Sequence, residues 1–198
     1  REGLQDPLDR GAAAGLLART VLFRGAPEEA ASIAAGAAAE LPPELEDLRM
    51  ELEAVESMAV FFGADHREHR GRLERLRGLR GHIGQNLGSR MLASVAAWET
   101  LCTDGTAAES AELALAALEG GRLWAADPSL IPFAAIVSLV VADRPEVPGI
   151  WKGVLEAAHR RGSLVSASST HLWLGYSHLC RGDLAAAAES LREADEAF

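Results

Sequence analysis

Alanine runs set the strongest limit on what this chain can fold into. GAAAGLLA, AASIAAGAAAEL and DLAAAAESL concentrate the best helix former, while aromatic residues make up only 5% of the chain. Alanine costs no side-chain entropy in a helix, and few β-branched or aromatic residues remain to build strands, so an all-α fold is expected. With 198 residues, 48% of them hydrophobic, the chain is long enough to bury roughly 70% of its unfolded surface.

Charge and cysteine content narrow the function classes. The formal net charge is −10, which repels nucleic acid and anionic lipid, so no direct contact with nucleic acid is expected. Cys102 and Cys180 have no CxxC context, and neither a disulfide framework nor a zinc site follows from them. A reducing cytoplasm fits this usage. The most apolar stretch, LIPFAAIVSLVVA from Leu130 to Ala142, contains Pro132 and is shorter than the roughly 18 to 20 residues that cross a bilayer. It reads as a fully buried helix, and no membrane partner is expected.

Punctuation organises the helices into antiparallel pairs. In HLWLGYSHLCRGDLAAAAESLREADEAF, residues 171–198, Gly182 suits the left-handed end of one helix and Asp183 the cap of the next. Leu184, Ala187, Ala188, Leu191, Ala194 and Phe198 then mark one face of an amphipathic helix. LFRGAPEEAASIAAGAAAEL aligns with LCRGDLAAAAESLREADEAF without a gap. Leu22, Arg24, Gly25, Ala30 and Ala31 fall on Leu179, Arg181, Gly182, Ala187 and Ala188, as in an internal repeat.

Between these ends, Leu45, Leu48, Leu52, Val55, Ala59 and Phe62 form one stripe, and a basic helix is expected around 67–79. Further helices are expected at Met91 to Cys102, at Ala107 to Leu118 after Asp104-Gly105, from Asp127-Pro128, and from Glu146 to Arg161, ended by Gly162. Hairpins starting near Asp6, Glu44, Gln85, Pro128 and Leu164 repeat about every 40 residues, not the 34 of a strict tetratricopeptide array. The expectation is a single domain over 1–198, a right-handed α-solenoid of about five antiparallel hairpins with degenerate tetratricopeptide-like repeats and a concave groove.

The closing hairpin resembles the tetratricopeptide pattern at Leu174-Gly175, Gly182, Ala187 and Ala194. His178 and Leu191 depart from it where aromatics are commoner. The combination LALAALEGGRLWAADPSLIPFAAIVSLVVADR and LEAAHRRGSLVSASSTHLWLGYSHLCRGDLAAAAESLREA resembles the helical-repeat region of large LuxR-family (MalT-like) transcriptional activators common in actinobacteria. That resemblance implies a regulatory segment between an ATP-binding module and a helix-turn-helix domain, both outside this chain. No GxxxxGK[ST] occurs in the sequence, so phosphate binding of the P-loop kind is not expected. The chain opens on Arg1 and closes within the repeat pattern, and is read as a piece of a longer array. The resemblance also implies that Ser169, Leu172 and Tyr176 turn toward the groove, where a small effector, a protein or a peptide would sit.

Other candidate sites have ordinary explanations beside them. His66 with His69, and His171 with His178, share helix faces but lack the three or four converging ligands that zinc needs, so no metal and no cofactor are expected. Glu156 and His159 form a lone ExxH, whereas di-iron bundles need two such motifs and two more glutamates. The run HREHRGRLERLRGLRGH offers Arg67, Arg70, Arg72, Arg75, Arg77 and Arg80 as a docking patch for an acidic partner. Its alternative is a solvated face backed by Leu73, Leu76 and Leu79. Of Trp98, Trp124, Trp151 and Trp173, three are expected in the core. No GxSxG, HExxH or nucleophile with a nearby base appears, so an enzyme is not expected. The functional expectation is a sensor or coupling segment of a LuxR-family regulator, with a free-standing adaptor as the alternative and a homodimer open to either.

Overall fold

The computed structural model describes residues 6–63, 86–103, 105–126 and 130–196. Among the described residues the chain is helical throughout, without a strand. The helices are α1 (Pro7–Phe23), α2 (Pro27–Glu40), α3 (Glu46–Gly63), α4 (Leu87–Cys102), α5 (Ala107–Leu118), α6 (Arg122–Ala126), α7 (Ile131–Val141), α8 (Val147–Arg161), α9 (Leu164–Cys180) and α10 (Leu184–Glu196). Asp104, Asp127-Pro128, Phe198, the arginines from Arg67 to Arg80, and His66 and His69 lie outside the described residues.

Local signals start and stop these helices where the chemistry requires. Asp6 accepts from the Leu8 amide, and Asn86 and Thr106 each form a reciprocal capping box with the residue three positions on. Such side chains supply acceptors that the first helical turn lacks. Gly25 and Gly182 take positive φ, +80° and +77°, and their flanks make the same bonds. The Gly25 amide donates to the Leu22 carbonyl and that of Ala26 to Val21, while Gly182 donates to Leu179 and Asp183 to His178. These are the paired closing bonds of a Schellman turn. Gly162 closes α8 the same way, and Asp143 at φ +50° closes α7.

Packing follows chain order. α1 pairs with α2, α4 with α5 and α9 with α10, while α3 packs on both α1 and α2 and then on α4. The core is built largely from alanine: Ala18, Ala30, Ala34, Ala54, Ala59, Ala97, Ala114 and Ala117 are fully buried or nearly so. Small side chains let backbones approach closely. A Cβ at Gly88 would fall 2.2 Å from the Asp47 carbonyl oxygen.

α7 is the centre of the molecule, with every residue from Ile131 to Val140 buried. One polar group reaches it from α4: the Ser94 hydroxyl donates to the Ile131 carbonyl and accepts from the Ala135 amide at 3.1 Å. The expected pairing of this helix with α8 is modified. α7 packs chiefly on α4 and α5, and α8 packs more on α9 than on α7, although Phe133 and Trp151 stack at 6.2 Å between α7 and α8. An all-apolar helix needs cover on every side, and one partner cannot supply it.

Two expected apolar stripes are only partly covered. On α3, Leu52, Val55 and Ala59 are buried but Phe62 is exposed; on α10, Ala187, Ser190 and Ala194 are buried while Leu184 and Leu191 are exposed. Of the four tryptophans only Trp151 is fully buried, and Trp98, Trp124 and Trp173 are half-buried.

Candidate functional site

Helices α3, α4, α7 and α9 converge on a small apolar cavity of about 110 Å³, lined by Phe61, Phe62, Trp98, Phe133, Ala134 and Trp173 among others. Each wall is positioned by burial of the opposite face of its own helix. α3 buries Leu52, Val55 and Ala59 and leaves Phe61 and Phe62 on the cavity side; α4 is buried from Gly88 to Ala97 and again at Glu99 and Thr100, with Trp98 only half-buried between them. Phe61 meets Trp98 edge-on, with ring centroids 5.7 Å apart, and meets Phe62 at the same distance. Edge-to-face rings of this kind hold one another in place beyond the area they bury.

Trp173 belongs to two surfaces at once. On its other side lies a groove of about 310 Å³ between α9 and α10, lined by Leu172, Gly175, Tyr176, Leu179, Ala187 and Leu191. Trp173 and Tyr176 contact edge-on at 5.9 Å. A hydrogen bond with Cys180, then burial, then the charge of Cys180 raise the Tyr176 phenol above its ordinary value of 10.0, so it is a neutral donor at physiological pH. The structure brings Leu172 and Tyr176 together in this groove, and Ser169 stands half-buried on the same helix but outside its lining.

A third cavity, about 330 Å³, runs between α1 and α3 and carries charge at Arg19, Glu44, Asp47 and Glu51. Asp47 is already engaged by the Gly88 amide at 2.6 Å. Among the described residues the histidines and the ExxH do not converge. His171 Nδ1 lies 2.9 Å from a Glu193 carboxylate oxygen, and Glu156 sits 4.0 Å from both Lys152 and Arg160 along α8. Among the described residues no group of three or more His, Cys, Asp or Glu side chains is placed to hold a metal, and no helix is long and apolar enough to cross a membrane.

The aromatic cavity escaped sequence reasoning because its walls come from positions 58–173. Only the half-polar character of tryptophan hinted at a lining role for Trp98 and Trp173. Compared with protein-family models, curated proteins and solved structures, the chain matches none.

Proposed function

We propose that this chain is the regulatory helical-repeat segment of a LuxR-family transcriptional regulator. It is a cytoplasmic, non-catalytic, right-handed α-solenoid of degenerate tetratricopeptide-like repeats that couples an effector or protein partner to a DNA-binding domain outside it. Support for the solenoid comes from the contact order: α1, α3, α4, α7 and α9, the first helices of the proposed successive hairpins, each touch the next. Stacking of that kind leaves a continuous inner row of helices.

The observation that carries the binding role is the cavity between Phe61, Trp98, Phe133 and Trp173, which draws walls from four helices of that row. A volume near 110 Å³ accepts a single ring or a branched aliphatic group, and walls without convergent polar groups bind it through burial of apolar surface. The effector is therefore a molecule that presents one such group as its anchor. A ligand that binds only when these four helices are aligned favours that alignment over others, which is how occupancy is transmitted along the stack.

The second reading, a free-standing adaptor, is favoured by the join at Trp173 between the cavity and the α9/α10 groove. That join makes an apolar track long enough for a peptide with two anchors.

Binding is tested by titrating single-ring aromatic compounds while following tryptophan fluorescence and the melting temperature. Wild-type protein should show a saturable shift, and Ala134→Leu, which fills the cavity from α7, should abolish it. No saturable response in the wild type sinks the binding role. The regulator and adaptor readings separate on the mass of the native protein in its source cells. A species several times heavier than 20.9 kDa favours the regulator, and one near that mass favours the adaptor.

A further inference from the structure

Among the described residues three cavities adjoin one another through side chains that they share. Arg19 and Val55 border both the charged cavity between α1 and α3 and a narrow waist of about 10 Å³, which Leu22, Phe23 and Ile131 also wall. Met58 and Leu130 border both that waist and the aromatic cavity of Phe61, Trp98 and Trp173. The helices that supply these walls pack on one another within the chain: α1 on α3, α3 on α4 and α7, and α7 on α9. The track therefore runs between packed neighbours and not along an outer flank.

Its two ends differ in chemistry. The aromatic end is lined by Met58, Ala134, Val137 and rings, and takes an apolar group. The other end, about 330 Å³, sets the carboxylates of Glu44, Asp47 and Glu51 against the guanidinium of Arg19. Three negative groups facing one positive group attract a cation, and the hydrogen bond that Asp47 accepts from the Gly88 amide leaves its charge in place.

Length decides between a small molecule and a chain as the occupant of both ends. Glu51 and Phe61 stand ten positions apart on α3, a rise of about 15 Å. A single-ring compound that fills the aromatic cavity does not reach so far, whereas an extended peptide covers the distance in four or five residues at about 3.3 Å each. The waist between the ends has room for about one water, so the residues that cross it are small or face outward.

We infer that this track holds an extended peptide segment of a protein partner. An aromatic or branched apolar residue enters the cavity of Phe61, Trp98 and Trp173, a basic residue four or five positions away enters the α1/α3 cavity, and small residues lie between them. The inference rests on the binding role proposed for the aromatic cavity and adds the class of partner and the sign of its second anchor.

The test uses fluorescence anisotropy with three labelled peptides. The first carries a phenylalanine, three small residues and two lysines; the second has glutamates in place of the lysines; the third has serine in place of the phenylalanine. The first should bind wild-type protein saturably at low salt, and the second and third about fivefold or more weakly. Glu44 is exposed, and Glu44→Lys should shrink the preference for lysine over glutamate, with helix content by circular dichroism unchanged. If single-ring compounds bind but the lysine and glutamate peptides bind alike, the serine peptide binds as well as the first, or Glu44→Lys keeps the full preference, the inference is overturned while the aromatic cavity keeps its role. If neither single-ring compounds nor any peptide gives a saturable response, the cavity's role falls and the inference falls with it.

Discussion

Asp47 and Gly88, 41 positions apart, fasten α3 to the first turn of α4: the Asp47 carboxylate accepts the Gly88 amide at 2.6 Å. The bond places a negative group at the positive end of a helix and satisfies a donor that the helix itself cannot. It also requires glycine, because a Cβ at position 88 would lie 2.2 Å from the Asp47 carbonyl oxygen and 2.7 Å from the Met50 Cβ. Gly88→Ala should therefore destabilise by about 2 kcal/mol or more, the usual cost of an overpacked contact that backbone cannot yield to. Asp47→Ala should cost about 1 kcal/mol, with Asp47→Asn retaining most of the stability because an acceptor remains. Denaturant midpoints measure all three, and an unchanged midpoint for Gly88→Ala would contradict the close approach.

Arg90 closes the far end of the neighbouring helix. Buried in the first turn of α4, its guanidinium donates to the carbonyls of Ala116, Ala117 and Glu119 at 3.3, 3.3 and 2.8 Å, where α5 ends. Arg90→Met keeps an unbranched apolar stem and removes the donors, leaving carbonyls without that partner, so a loss of about 2 kcal/mol is expected. Arg90→Lys should recover only part of it, since all three bonds come from the far nitrogen Nη1, which the shorter lysine side chain reaches less well. Equal midpoints for Met and Arg would remove the capping role.

Two turns of one geometry carry different residues, and opposite outcomes follow. Gly182 has φ +77° and nothing within 4 Å of a Cβ site, so Gly182→Val should lower the melting temperature through backbone conformation alone. Asp143 occupies the matching position after α7 at φ +50°. Asp143→Gly relieves that strain against a larger unfolded-state entropy, for a net gain of about 0.5 kcal/mol. A calorimetric scan in which both variants move the same way would count against this reading of the turns.

Cys102, at the end of α4, should be a slow nucleophile. Desolvation, and then the Glu99 carboxylate, raise its thiol above the ordinary value of 9.0, so the thiolate is scarcer at any neutral pH than in a free peptide. In a Cys180→Ser background, alkylation of Cys102 should be slower than that of a cysteine peptide at pH 8. Linkage gives the second readout. Between the unfolded value and the raised folded one the native state holds the proton that the unfolded chain has lost, so this group's contribution to stability falls as pH rises above about 9. Faster alkylation than the peptide would refute the shift.

Much of the helix layout was legible because its signals are local. Gly25, Gly162 and Gly182 mark left-handed turns, Asp183 caps α10 by accepting from Ala186 at 3.0 Å, and the apolar run from Ile131 to Val140 is buried as its composition requires. Asp143 was missed because aspartate at such a turn is a minority choice that reads equally as a loop residue. The periodicity of α10 identified Leu184 and Leu191 as apolar, but period alone does not say whether a neighbour covers them. The aromatic cavity depends on Phe61, Trp98, Phe133 and Trp173 meeting across more than a hundred positions, and no spacing rule encodes that. Arg90 drew no expectation, lying just before the helix expected at Met91 to Cys102, since capping of a partner helix has no signature within its own segment.

The burial of α7 from Ile131 to Val140 divides the chain by timescale. Its amide protons, screened on every side from Ile131 to Val140, have no route to solvent short of opening the whole molecule. α1 and α10, which among the described residues keep Leu16 and Phe23, and Leu184 and Leu191, exposed, can fray singly. Hydrogen exchange should then rise outward from this helix in both directions, slowest at the middle of the sequence and fastest toward the two ends.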